Sequence, residues 1–198
     1  EAAEAAGAVE AEAAEAAGPP RLAAPRVARY RLTYDPAPCD PAHAVEITSG
    51  ENFSPSHGGA GETFRAHCAS VRCMAEAQWV LSTLLQDRRI ARATHNMLAY
   101  RFWDAERSVQ QADNDDDGES TAGSKLAGLL DLMGANNVLV VVSRWFGGVH
   151  LGPARFKYIA NTARELLDAC GHGADRRAGG GGGGGALKDK VVDKKKRR

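Results

Sequence analysis

The run Val138–Val142, with the sequence VLVVV, restricts the fold of this chain more than any other segment. Four of its five residues are β-branched, and such residues favour strands over helices. The run has no alternation of apolar and polar residues, which is typical of a strand that is covered on both faces. It therefore predicts the central strand of a sheet.

Apolar residues elsewhere recur with two different periods. The segment FRAHC after Thr63 alternates as a half-buried strand does, as does NMLAYRFW at 96–103, and a weaker strand follows at Val109–Ala112. Spacings of three and four residues predict three amphipathic helices. Gly134 should end the second helix, because glycine accepts the left-handed conformation of helix ends. The three stripes contain Met74, Ala77, Leu81, Leu84 and Leu85; Ala122, Leu126, Leu129, Leu130 and Met133; and Phe156, Ile159, Ala160, Ala163, Leu167 and Cys170.

This order of elements predicts one α/β (α+β) domain, in which a mixed sheet is covered by helices. The ends of the chain have the composition of low-complexity sequence, and we expect them to be dispensable for folding. The predicted divisions are an Ala/Glu-rich disordered or helical head at 1–18, a Pro-rich linker at 19–45, the domain at 46–172, and a poly-Gly and basic disordered tail at 173–198.

The charges are unevenly distributed, although the formal net charge is zero. Residues 1–18 carry five Glu and no basic residue, whereas 186–198 carry seven Lys or Arg against two Asp. The part between them is nearly neutral, which is not typical of a general nucleic-acid-binding domain. The basic tail is expected to be a solvated charge run, with nuclear import or RNA contact as the alternative.

The four cysteines contain no CxxC pair, and we interpret them as reduced thiols. Cys68 and Cys170 fall on predicted apolar faces, where a free cysteine behaves as a small apolar residue. No apolar run approaches the ~20 residues that a membrane-spanning helix needs, so a soluble protein is expected.

Three polar clusters interrupt the apolar pattern: ATHN at 93–96, DDDGE at 115–119 and RWFGG at 144–148. Each lies at the boundary of a predicted element, where functional residues are concentrated. We expect the clusters to converge at one edge of the sheet and to form a binding surface. The candidate residues of this surface are His95, Asn96, Asp116, Asp117, Glu119, Arg144, Gly147 and Gly148.

The acidic turn has two interpretations. Asp117 or Ser120 would cap the second helix, with Glu119 favourably placed at its positive end. Alternatively the carboxylates would bind Mg²⁺ or Ca²⁺, although the spacing is not that of an EF-hand.

Arg144 and the glycines after it also have two interpretations. Arg144 would either pair with Asp116 or Glu119, or hold a ligand. The Gly147–Gly148 link permits tight turning and could present amide groups to an anion, but it lacks the Lys of a P-loop. No complete set of catalytic residues is present. The sequence therefore predicts a protein that is not an enzyme, with no catalytic residues, no metal site and no cofactor.

The same clusters carry a resemblance to a known family. ATHN at 93–96 with AYR at 99–101, DDGE at 116–119 with TAG at 121–123, and VVVSRWFGG at 140–148 with LGP at 151–153 together resemble the IMPACT family. That family includes bacterial YigZ-like proteins and eukaryotic regulators of translation. The resemblance covers about residues 50–170 and implies a two-layer α/β sandwich, similar to domain 2 of small-subunit ribosomal protein five.

The resemblance also implies a function. Eukaryotic members are cytosolic inhibitors of the general-control kinase in amino-acid starvation, where they compete for the activator of the kinase. The implied partners are therefore proteins, namely this activator and, further, actin or ribosome-associated proteins. No membrane partner is implied, and nucleic acid is a secondary candidate. The alternative function is an anion- or nucleic-acid-binding module with weak hydrolytic activity on a phosphate-containing substrate.

Overall fold

The computed structural model describes residues 32–36, 40–57 and 59–173. A short 3-10 helix at Pro41–His43 precedes the other elements. The strands are β1 (Thr48–Ser49), β2 (Thr63–Ser70), β3 (His95–Asp104), β4 (Val109–Asp115) and β5 (Val138–Trp145). The α-helices are α1 (Met74–Gln86), α2 (Arg88–Ala91), α3 (Ala122–Met133) and α4 (Ala154–Ala169). The predicted α/β class is confirmed.

The strands form one five-stranded sheet in the order β1-β2-β5-β3-β4. β5 is the middle strand, as its VLVVV run predicted. Every neighbouring pair is antiparallel, so the sheet differs from the mixed sheet that was expected. The physical reason is the position of β5. It lies between β2 and β3, which run in the same direction and would otherwise form a parallel pair.

Both faces of β5 are buried. Val140 and Val142 face a core that contains residues of α3 and α4, whereas Leu139 and Val141 face a second core with residues of α1. None of these four side chains is more than 1% exposed. The expected two-layer sandwich therefore describes only one side of the sheet. A strand with apolar residues on both faces needs cover on both, and α1 provides it on the second side.

The structured unit begins before residue 46, the predicted start of the domain. Leu32 is 6% exposed and belongs to the second core, and Tyr34 packs against that core. The Tyr34 hydroxyl donates a hydrogen bond to the Asn96 carbonyl at 2.9 Å. The Thr33 amide donates to the Gln78 side chain, also at 2.9 Å. Prolines exclude a helix here, but they leave an extended chain free to bury single side chains.

The described part of the predicted 19–45 linker thus packs on the domain. The predictions for the Ala/Glu head and the basic tail lie outside the described residues. Among the helices that the structure describes, none is both long and apolar enough to cross a membrane.

The ends of the elements differ in places from the prediction. β4 continues to Asp115, three residues beyond the predicted end at Ala112, because Asp113–Asp115 pairs with β3. Gly134 has φ +62° and ends α3, as its glycine predicted.

The start of α3 is capped by a different residue from those predicted. The Asp116 carboxylate accepts hydrogen bonds from the Thr121 amide at 2.9 Å and the Gly123 amide at 2.6 Å. Neither Asp117 nor Ser120 fills this role, because the chain between Asp116 and Thr121 forms a tight turn that returns the Asp116 carboxylate to the helix start. Asp116 is therefore a capping residue of α3.

Candidate functional site

The centre of the candidate site is Arg144, at the end of β5. Its side chain is 6% exposed, and its Nε donates to Glu62 Oε1 at 2.8 Å. Its Nη1 donates to the Glu119 carboxylate. The pairing predicted between Arg144 and Glu119 is thus present. The second carboxylate, Glu62, precedes β2 and was not among the candidates.

Glu119 joins Arg144 to two further side chains. Arg155 Nε, from the first turn of α4, donates to Glu119 Oε1 at 2.6 Å. The His95 Nε2 atom lies 3.7 Å from Glu119 Oε2. Glu62, Arg144, Glu119 and Arg155 therefore form a continuous chain of alternating charges. We call these four residues the arginine network.

The glycines after β5 close the network at its buried end. The Gly147 amide donates to Glu62 Oε2 at 2.7 Å, so both carboxylate oxygens of Glu62 have a donor. A Cβ atom on Gly147 would lie 2.4 Å from the Glu62 amide nitrogen, which no side chain permits. Gly148 has φ +88°, a conformation that favours glycine. Their first function is thus to let this loop approach the network closely.

His95 and Asn96, at the start of β3, hold the acidic turn. His95 Nδ1 donates to the Asp117 carbonyl at 2.8 Å. The backbone amide of Asn96 donates to the Asp117 carboxylate at 2.7 Å. Burial raises the pKa of the Asp117 carboxyl, while the Asn96 amide and His95 oppose the rise. Asp117 has φ +43°, a conformation that its two contacts with β3 hold in place.

The side chain of Asn96 points into the protein rather than toward a ligand. It is 4% exposed, donates to the Ile90 carbonyl at 3.0 Å and accepts from Ser143 Oγ at 2.6 Å. Asn96 and Asp116 are therefore structural supports of the site.

The structure brings most of the predicted residues together. His95, Asp117, Glu119 and Arg144 are linked by contacts, and the two glycines adjoin them. The clusters therefore meet, but they do so at one end of the inner strands β3 and β5 and not at an edge strand of the sheet.

A cavity of about 350 Å³ opens beside the network. Its wall contains Arg144, Arg155, His95 and Glu119, together with residues of the loop between β5 and α4. That loop also carries two exposed apolar side chains, Phe146 at 40% and Val149 at 48%. We call this segment, residues 146–152, the rim loop.

Phe146 is held in place although it is exposed. Its amide donates to Thr94 Oγ1 at 2.9 Å, its ring lies 5.6 Å from the Arg144 guanidinium carbon, and it contacts the His150 ring at 5.2 Å. Thr94 belongs to the ATHN cluster, so this cluster positions the rim loop as well as the acidic turn.

Three important residues were missed by reasoning from the sequence. Glu62 is an isolated acid before a strand, and nothing in its neighbours distinguishes it from a solvated residue. Arg155 follows the LGP motif at 151–153 in the first turn of a helix, where a basic residue is not favoured by the helix dipole. This unfavourable position was the available signal for Arg155. Phe146 is an aromatic residue in a predicted loop, and this was the feature that could have identified it as a binding residue.

The site shows no metal-binding arrangement. In residues 32–36, 40–57 and 59–173, no three His, Cys, Asp or Glu side chains are grouped so that they could hold a metal ion. The Asp116 and Asp117 carboxylates of the acidic turn instead accept hydrogen bonds from the backbone amides of Asn96, Thr121 and Gly123.

Comparison with known proteins gives a family match over most of the domain. The family described as "Impact N-terminal domain" matches residues 61–167. A relative from Schizosaccharomyces pombe, named "Protein IMPACT homolog", is 53% identical over 105 residues, which cover 53% of this chain and 37% of the relative. The human "Protein IMPACT" is 48% identical over 105 residues, which cover 53% of this chain and 33% of the relative. The chain thus spans about a third of the length of these relatives.

Two solved structures are also similar. One is described as the two-domain translational regulator Yih1; it has 36% sequence identity and a TM-score of 0.45, and covers 71% of this chain and 52% of its own. The other is described as a hypothetical protein, with 21% identity and a TM-score of 0.51, covering 62% of this chain and 57% of its own. The second similarity shows the fold.

Proposed function

Since the chain belongs to the family of the Impact N-terminal domain, we propose that it regulates translation by binding other proteins. The more specific proposal follows the resemblance of its motifs. The protein acts in the cytoplasm as a negative regulator in the response to amino-acid starvation, and it competes for the activator of the general-control kinase. Actin and ribosome-associated proteins are further candidate partners.

The observation that carries this proposal is the position of the rim loop over the arginine network. Exposed aromatic and apolar side chains beside an arginine are typical of the residues that contribute most to protein–protein binding. Phe146 and Val149 are exposed in this way, and Arg155, with 25% of its side chain exposed, lines the same cavity as Phe146. The buried network beneath holds the loop in one conformation, which reduces the entropy lost on binding.

A binding experiment with one matched control tests this proposal. The purified activator of the general-control kinase is titrated into the protein and into Phe146→Ala and Leu132→Ala variants, and the heat of binding is measured. Leu132 is 70% exposed and lies about 15 Å along α3 from the start of that helix, away from the rim loop.

We expect Phe146→Ala to weaken binding by about 2 kcal/mol, or roughly thirtyfold, as for a central interface residue. Leu132→Ala should bind as the unaltered protein does. Equal affinity of all three proteins would exclude the rim loop as the binding surface, and no binding by any of them would exclude the activator as the partner.

A second function is favoured by the side chains that line the cavity. Arg144, Arg155, His95 and His150 all contribute to its wall, and such groups can bind a phosphate. Glu62 and Glu119 already neutralise the two arginines, so an anion would have to compete with them. Titration with inorganic phosphate and with single-stranded RNA, followed by the chemical shift of the His95 and His150 rings, tests this alternative.

We also propose that the protein acts by binding and not by catalysis. Each oxygen of the Glu119 carboxylate already accepts a hydrogen bond, from Arg144 or from Arg155, so a substrate proton would have to compete with these two cations. A phosphate ester such as p-nitrophenyl phosphate should be hydrolysed no faster in the presence of the protein than in buffer, as measured by the release of p-nitrophenolate.

A further inference from the structure

Two cysteines that are far apart in the sequence lie close together at the C-terminal end of β2. The rim loop lies at the other end of this strand. Cys68 lies near the end of β2, and Cys170 follows the last residue of α4. Their sulfur atoms are 3.5 Å apart, and both thiols are free. A disulfide bond needs a separation of about 2.05 Å, so the sulfurs lack about 1.5 Å of approach.

The two cysteines of this pair differ in their access to solvent. Cys68 is held between β1 and β5 in the sheet and is 2% exposed. Cys170 is the C-terminal cap of α4, where its amide donates to the Leu166 carbonyl at 2.9 Å, and it is partly exposed. Both line a cavity of about 600 Å³ that is separate from the one beside the arginine network. A small oxidant can therefore reach Cys170 first, and the sulfur that it oxidises lies 3.5 Å from the Cys68 sulfur.

We propose that Cys68 and Cys170 form a reversible intramolecular disulfide when the protein meets a peroxide. The Cys170 thiolate attacks one oxygen of hydrogen peroxide and the O–O bond breaks, which gives a sulfenic acid and a hydroxide. The hydroxide takes up the proton that the Cys170 thiol released and becomes one water. The Cys68 sulfur then attacks the Cys170 sulfur, the S–O bond breaks, and a second water leaves with the proton of the Cys68 thiol. The peroxide gains two electrons, and the two thiols lose them.

The surroundings of Cys68 set the order and the pH dependence of these steps. Burial and the neighbouring Cys170 raise the pKa of the Cys68 thiol to about 12. Cys68 is therefore a poor first nucleophile and acts as the resolving thiol. Because its thiolate fraction rises with pH, the second step should accelerate between pH 7 and pH 9.

The bond would connect β2 to the end of α4, the helix that carries Arg155 in its first turn. It would close a loop of about 100 residues, and restricting the unfolded chain in this way stabilises the folded state. We therefore expect the melting temperature of the oxidised protein to be about 10 °C higher than that of the reduced protein.

The experiment uses the full chain with Cys39→Ser, which leaves Cys68, Cys170 and one control thiol, Cys73. Cys73 is also partly exposed but precedes α1 and has no thiol partner among the described residues. The reduced protein is treated with hydrogen peroxide, alkylated under denaturing conditions, and digested for mass spectrometry without reductant.

We expect one linked peptide pair containing Cys68 and Cys170, two hydrogens lighter than the separate peptides, with Cys73 alkylated. The melting temperature should rise, and dithiothreitol should reverse the rise. A Cys170→Ser variant should show neither change, while Cys73→Ser should show both. Recovery of Cys170 as a sulfinic acid with Cys68 alkylated would overturn the proposal, as would a link to Cys73 formed equally fast or a linked protein with an unchanged melting temperature.

Discussion

Replacing Arg144 by Met should destabilise the protein far more than the loss of an exposed ion pair would. Methionine keeps much of the apolar volume of the arginine stem but removes the charge that Glu62 and Glu119 share. The Glu62 side chain is 0% exposed and would keep only the Gly147 amide as a donor. Glu119 would keep Arg155.

The expected loss follows from this difference between the two carboxylates. Removal of one partner from a buried ion pair typically costs about 3–5 kcal/mol, because the remaining charge is buried without compensation. The Arg144 guanidinium carbon also lies 5.5 Å from the Phe64 ring, near the outer limit of about 6 Å for a cation–π contact, so this contact contributes the smaller part of the loss. We therefore expect the Arg144→Met variant to lose about 4 kcal/mol, nearly all of it from Glu62.

Urea unfolding followed by circular dichroism at pH 7 measures this loss. Two further variants identify its source. Arg155→Met removes a cation whose side chain is 25% exposed and should cost about 1 kcal/mol or less. Adding Glu62→Gln to Arg144→Met removes the orphaned charge and should recover about 2 kcal/mol of the loss. A loss below about 1 kcal/mol for Arg144→Met would refute the reasoning, because the network would then be no stronger than a surface pair.

Three other predictions concern the rest of the domain. A fragment that begins at residue 46 should be at least about 2 kcal/mol less stable in urea than one that begins at residue 31, because it lacks the buried Leu32. Val141→Asp should leave no cooperative melting transition, because its charge would be buried without a partner on the covered face of β5. His67 should make the protein sensitive to mild acid. Burial, and secondarily Arg65, lower the pKa of His67 from 6.5 to about 4, so the unfolded chain binds the proton more tightly. Stability should fall by about 3 kcal/mol as pH decreases from 6.5 to 4, and a His67→Gln variant should lose this part of the pH dependence, as pH-dependent urea titrations would show.

The elements were predicted well where the pattern itself determines the contact. The VLVVV run has apolar side chains on both faces, and this requirement alone placed β5 in the middle of the sheet. The alternation around Leu98 and the helical spacing around Leu126 fixed β3 and α3 in the same way. These signals are local, since each depends on residues within one turn or one strand.

The features that were missed depend on contacts between distant residues. Leu32 and Tyr34 lie in a proline-rich segment, and only the fold shows that their side chains reach the core beside α1. Glu62 pairs with Arg144, which lies 82 positions away, and no local sequence pattern predicts such a pairing. The antiparallel pairing of β5 with both neighbours likewise depends on the path of the chain and not on the composition of the strands.

The candidate site was predicted in its location but less well in its roles. The polar clusters were known to lie at element boundaries, which was enough to bring His95, Glu119 and Arg144 together. Burial then decides what each does: Asn96 and Asp116 satisfy internal hydrogen bonds, whereas Phe146 is exposed above the network. A sequence shows the residue type at a boundary but not the direction in which its side chain points.

Hydrogen exchange of the protein with and without the activator of the general-control kinase tests the proposed binding surface most directly. Amide exchange at each residue is compared between the free and the bound state, and the unbound control is the same protein in the same buffer. The rim loop over the arginine network should gain protection at residues 146–152 and in the first turn of α4. Protection confined to β4 and the exposed Trp103 beside it, with exchange of the rim loop unchanged, would contradict the assignment of this surface.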